Sequence, residues 1–221
     1  MAGSLIDEAD GSSLVDPGPL QSGCIYIMRH GRTALDMEHR SDGWLDMPLS
    51  DQGQRELIDS QQHLKTTPIS AIYTPDLKRT RETADLMKSG ILQDPKIVVD
   101  DAAKTWNLGI LAGTRKRYGR PKVQALVANP TSRPQGGESY KEFTGRFMPW
   151  FNKRAAEVAK SGKSILIVCS GSNLRCLGGW LLGDEDELDL DEGGLACLQQ
   201  YGGVWSGVVI DGGEGDGDYT S

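Results

Sequence analysis

Across 221 residues the chain carries 24 Lys and Arg against 31 Asp and Glu, a formal net charge of −7, and only three histidines. That balance argues against a nucleic-acid partner, which needs a basic surface, and no apolar run approaches the roughly 20 residues of a membrane span. The N-terminus lacks the basic-then-apolar order of a signal peptide, so the expectation is a cytoplasmic protein built on one sizeable domain.

In chain order, residues 1–22 are rich in Gly, Ser, Asp and Pro and read as a flexible leader. The apolar run Cys24 to Met28 stops abruptly at Arg29-His30-Gly31-Arg32-Thr33, as a buried strand does where it ends at a site. A polar loop follows, pinned by Trp44, and Ser50 is suited to cap a helix. Asp51 to Lys65 places Leu57, Ile58 and Leu64 near one helical face. Ile69 to Tyr73 is a second strand, Leu77 to Met87 a second helix, and Lys96 to Asp100 a third strand. Asp101 to Gly137 shows no strong period, holds the basic cluster Arg115, Lys116, Arg117 and Arg120, and reads as an irregular lid. Glu138 to Ala159 steps its aromatic and apolar residues at three and four, a long helix whose first turn suits Glu138 electrostatically. Ser164 to Cys169 is a fourth strand, Leu174 to Leu182 is helical, Leu195 to Tyr201 and Val204 to Ile210 are last strands, and residues 212–221 form an acidic tail. The alternation predicts an α/β fold over residues 23–211, a three-layer α/β/α sandwich with a mostly parallel sheet.

Parallel strands present functional groups at their carboxyl ends. There the Arg29 guanidinium can hold phosphate oxygens in a fork while a neutral His30 attacks phosphorus. An ordinary surface Arg-His pair gives the same short pattern. Cys24, Cys169, Cys176 and Cys197 lack zinc-ligand spacing and read as reduced thiols, so neither a metal nor a cofactor is expected.

Three motifs in order carry a resemblance: Arg29-His30-Gly31-Arg32-Thr33 with Arg40, Gly43-Trp44-Leu45-Asp46, Pro48-Leu49 and Gly53; Tyr73-Thr74-Pro75-Asp76-Leu77-Lys78-Arg79-Thr80-Arg81-Glu82-Thr83-Ala84; and Gly136-Gly137-Glu138-Ser139. From about Cys24 to Leu182, and on toward Ile210, the chain resembles the histidine phosphatase superfamily, also called phosphoglycerate mutase-like. The resemblance implies a phosphoglycerate mutase-like fold, a phosphohistidine at His30, and Arg29 and Arg79 clamping the transferred phosphoryl group. It also marks Arg32, Thr33, Asp36, Gly171 and Glu138 as substrate-binding candidates, although Glu138 has the structural reading of a helix start.

Three departures from the family pattern matter. Ser170 stands where a second histidine is expected, Thr105 where a proton-donating glutamate is expected, and Asp36 where an asparagine binds phosphate. Losing a transition-state donor costs about 10² to 10³ in rate and losing a general acid about 10² to 10⁴. The reading is therefore a metal-independent phosphatase, weakened or specialised, acting on a small phosphorylated molecule or a phosphoprotein. Two alternatives stay open. One is a phosphate-ligand-binding or scaffold protein without turnover, whether by natural loss or deliberate replacement. The other is a cysteine-dependent phosphatase, since Cys169 and Arg175 are separated by five residues at a strand end.

Overall fold

The computed structural model describes residues 23–183, 188–201 and 204–213. The expected leader and most of the expected acidic tail lie outside the described residues. Six strands form one mixed sheet: β1 (Ile25–Arg29), β2 (Ile69–Thr74), β3 (Lys96–Val99), β4 (Ser164–Cys169), β5 (Leu195–Tyr201) and β6 (Val204–Asp211). Their order is β3-β2-β4-β1-β5-β6; β1 to β4 run parallel, while β5 is antiparallel to both β1 and β6. β1 thus has a hydrogen-bonded neighbour on each side, which explains its unbroken apolar sequence.

The two faces of the sheet are covered by different helices. α1 (Ala34–Met37), α2 (Asp51–Leu64), α3 (Lys78–Gly90), α4 (Lys116–Ala128), α5 (Tyr140–Ser161) and α6 (Gly171–Leu177) follow the strands in alternation. Tyr26, Met28, Ile72 and Val168 pack with Leu57, Leu64, Ala84 and Met87 of α2 and α3 on one face. Ile25, Ile27, Tyr73 and Ile167 pack with Phe143, Phe147, Phe151 of α5 and Leu174, Leu177 of α6 on the other. The period-two alternation along each strand divides its side chains between these two cores, giving three layers.

The structure differs from the expected irregular lid in one main respect. Residues 116–128 form α4, although Gly119 and Pro121 sit in its first half and Gly119 is its one buried residue. Val123, Leu126 and Val127 rest half-buried against the α5 core, so tertiary contact sustains a helix that local propensity disfavours. Trp106 and Leu111 of the same stretch are buried in that core, with short 3-10 turns at Asp101–Ala103 and Gly109–Leu111. The expected helix to Leu182 also divides, into α6 and a wider π turn over Gly178–Leu182.

Candidate active site

The end of β1 lies deep in the sheet, and His30 is only 3% exposed. Its backbone N–H donates to the Cys169 carbonyl at 2.9 Å, tying it to the end of β4. Nδ1 lies 2.9 Å from the Gly31 carbonyl, which can only accept, so Nδ1 carries the hydrogen and Nε2 carries the lone pair. Burial first, then the charges of Arg79 and Arg29, hold the His30 pKa well below its ordinary value. The imidazole is therefore neutral at neutral pH, the form that can attack phosphorus.

Arg79 enters from the first turn of α3 and is fully buried. Its Nε donates to His30 Nε2 at 3.1 Å, while its two terminal nitrogens donate to the carbonyls of Leu45 and Gly43, each at 2.8 Å. Residues 43–45 thereby wrap the guanidinium. Arg29 donates to the Leu190 carbonyl at 2.7 Å and forms an ion pair with Glu192, a buried carboxylate just before β5. Lys116, the first residue of α4, reaches the same Glu192 at 3.3 Å and Asp36 at 3.4 Å.

Thr33 caps α1, and its hydroxyl lies 3.0 Å from Asp36 Oδ2 and 3.1 Å from Asp42 Oδ1. One imidazole nitrogen of His30 and one oxygen each of Asp36 and Asp42 all lie within 4.8 Å of one another. Two of the three groups already have cationic partners within the protein: Arg79 donates to His30 and Lys116 to Asp36. Burial opposes ionisation of Asp36, but Lys116, Arg29, a side-chain hydrogen bond with Glu192 and the hydrogen bond from the Thr33 N–H outweigh it and lower its pKa. For Asp42, burial and the neighbouring Asp36 charge prevail over Arg79 and push the pKa up to about 7.

Ser170 is 5% exposed; its N–H donates to Asn173 Oδ1 at 3.2 Å, and its hydroxyl has no hydrogen-bond partner. Gly171 follows beside Arg29, where an added Cβ would lie 3.8 Å from the guanidinium carbon. Arg29, His30, Thr33, Asp36, Arg79, Ser170 and Gly171 therefore gather around the ends of β1 and β4. Arg32 and Glu138 have partners elsewhere. Arg32 reaches Glu56 on α2 at 3.3 Å, and Glu138 accepts from Arg146 at 2.6 Å and from the Asn107 N–H at 2.9 Å. The Thr105 carbonyl accepts from Trp44 Nε1 and from Arg146, both at 2.8 Å, and its residue is buried.

Asp42 and Glu192 escaped the sequence reading, and Lys116 entered it only as part of a basic run. Lys116 lies 80 residues from Asp36 and 76 from Glu192, and nothing local marks such a meeting. Cys169, by contrast, is placed against the thiolate alternative: it is fully buried at the end of β4, and burial pushes its thiol up to about 12. Beyond the pocket, an open cleft of about 360 Å³ is lined by Trp44, Leu45, Asn107, Ala112, Gln135 and Gly136, among others.

Residues 25–210 match the family described as the Histidine phosphatase superfamily (branch 1). A 2,3-bisphosphoglycerate-dependent phosphoglycerate mutase 2 of Gloeobacter violaceus is 27% identical over 159 residues, covering 69% of this chain and 73% of the relative. Among solved structures, a phosphoglycerate mutase of Bacillus anthracis superposes with a TM-score of 0.74 at 21% identity, over 86% of this chain and 94% of that one. A mycobacterial glucosyl-3-phosphoglycerate phosphatase superposes with a TM-score of 0.70 at 21% identity, over 86% and 99% respectively. These two establish the likeness of fold.

Proposed function

This chain belongs to the histidine phosphatase superfamily, and on that premise we propose that it is a metal-independent phosphatase that takes the phosphoryl group of a phosphomonoester onto His30 Nε2. The observation that carries the reading is the state of that nitrogen. The Gly31 carbonyl fixes the tautomer, burial keeps the ring neutral, and a buried guanidinium stands at the lone pair. When a phosphoryl group enters, its oxygens replace Nε2 as the acceptor of the Arg79 N–H, and the lone pair is released as its target arrives. Arg29 and the Ser170 hydroxyl offer further hydrogen bonds to the same oxygens. Phosphoryl transfer depends chiefly on such positioning and charge stabilisation. A small phosphorylated molecule or a phosphoprotein side chain would lie with its leaving group in the cleft beside Trp44.

A mutase must return the phosphoryl group to a second acceptor, and His39 and His63 do not supply a second pocket histidine. Both are exposed, and His63 lies 3.5 Å from Asp211. The binding-protein reading draws on one observation, the Glu192 carboxylate already seated on Arg29. Phosphate release from para-nitrophenyl phosphate separates the readings. A phosphatase of the proposed kind loses release in His30→Ala, keeps it in Cys169→Ser and gains in Ser170→His. Loss in Cys169→Ser alone would favour the thiolate, and no release by the parent chain would leave a binding protein.

A further inference from the structure

Position 105 holds a threonine, which cannot donate a proton usefully near neutral pH, so expulsion of an alkoxide leaving group lacks its acid there. The donors and acceptors around Thr33 bear on where a proton is held instead. The Thr33 hydroxyl has one hydrogen but sits between two carboxylate oxygens, 3.0 Å from Asp36 and 3.1 Å from Asp42. It also accepts from the Asp36 backbone N–H at 3.2 Å. One hydroxyl hydrogen can serve only one of these two adjacent, buried carboxylates, and like charges so close in a buried site favour a proton on one of them. Asp36 has the Thr33 N–H at 3.1 Å and Lys116 at 3.4 Å to hold it ionised, which leaves the proton on Asp42.

Asp42 also stands where the reaction would need it. Its carboxyl oxygen is within 4.8 Å of the His30 ring, and the next residues, 43–45, wrap Arg79. Trp44 and Leu45 line the open cleft together with Asn107, Gly109, Ile110 and Ala112, which follow Thr105 in the chain.

We propose that Asp42 is the general acid of this pocket, delivering to the leaving oxygen the proton that Thr105 cannot. The inference rests on the phosphatase reading above. In the first step the Nε2–P bond forms and the P–O bridge breaks, its electron pair leaving with oxygen, which takes the Asp42 proton. In the second, water bonds to phosphorus as the Asp42 carboxylate takes its proton, and the P–Nε2 electrons return to the ring. Inorganic phosphate is released and both groups are restored. Asp36 of α1, Arg79 of α3 and His30 face Asp42, with Lys116 of α4 and Glu192 one contact further through Asp36. Their balance leaves Asp42 titrating at about 7, suited to donate and to accept in turn.

The test compares glycerol 2-phosphate, whose alkoxide needs a proton, with para-nitrophenyl phosphate, whose phenolate leaves without one. Asp42→Asn is expected to lower kcat/KM for glycerol 2-phosphate by about 10² to 10⁴ and to lower the nitrophenyl rate at least tenfold less. The fall of the glycerol phosphate profile above about pH 7 should vanish in the variant. Adding Thr105→Glu to Asp42→Asn should restore alkyl phosphate turnover. Equal losses on both substrates, a retained basic limb, or a parent that hydrolyses only the nitrophenyl ester would overturn the inference alone. A parent inactive on both esters would bring down the phosphatase reading and the inference with it.

Discussion

His30 and Arg79 define each other's state: one lone pair, one N–H, 3.1 Å apart, sealed from water. Replacing Arg79 by Met removes that donor and leaves the Gly43 and Leu45 carbonyls without theirs. Each buried orphan costs about 1–3 kcal/mol, so a urea titration should show about 2–6 kcal/mol of lost stability. The same variant should lose about 10² to 10³ in kcat/KM. Asp42 gives a second residue-scale expectation. Its folded pKa of about 7 lies above the unfolded value near 4, so the native state holds the extra proton between those limits. That contribution is complete below about pH 4 and is lost as pH rises through about 7. Asp42→Asn cannot titrate, so its stability relative to the parent should climb across this window, by up to about 4 kcal/mol, and then level off. Urea midpoints from pH 4 to 8 measure it, and a flat difference would contradict the assignment. The Arg-His pair was legible because a strand ended on it. Asp42 and Glu192 were not: Glu192 meets Arg29 across 163 residues, and what singles out Asp42 is burial beside Asp36, which a polar loop sequence does not display.

Among the elements, the first turn of α2 presses directly on the loop that carries His30. A Cβ on Gly53 would lie 2.3 Å from the Arg32 carbonyl and 2.7 Å from its nitrogen, so the family's glycine here is a contact requirement. Gly53→Ala should therefore cost about 1–3 kcal/mol by chemical denaturation and lower activity, by pushing residues 30–33 out of register. Ser139 caps α5 in a reciprocal pair with Glu142, and Ser139→Ala should cost about 1 kcal/mol. The strands and α5 could be read from sequence because apolar period and caps agreed: β4 spans Ser164–Cys169 as expected, and α5 starts at Tyr140, two residues past the expected start. α4 could not be read, since its glycine, proline and arginines dilute the period and its stability comes from packing against α5.

Across the whole molecule, α5 is the bridge between the sheet and the cleft. Trp106, Phe143, Phe147 and Trp150 stack in sequence with ring centroids 5.8–6.2 Å apart, carrying rigid contact from the segment behind Thr105 down to Tyr73 on β2. Phe147→Ala, at the centre of this column, should cost about 3–5 kcal/mol in thermal or urea unfolding. The layered α/β architecture followed from alternation alone, whereas the order of strands, with β1 between β4 and β5, depends on pairings the sequence does not display. Described helices include none long and apolar enough to cross a membrane. The central claim is that His30 carries the phosphoryl group, and trapping the phosphoenzyme tests it most directly. The chain is mixed with labelled para-nitrophenyl phosphate, quenched in base, and mapped by peptide. The account predicts a base-stable, acid-labile phosphoryl group on the peptide containing His30, absent in His30→Ala and present in Cys169→Ser. Label on the Cys169 peptide, or turnover undiminished in His30→Ala, would contradict it.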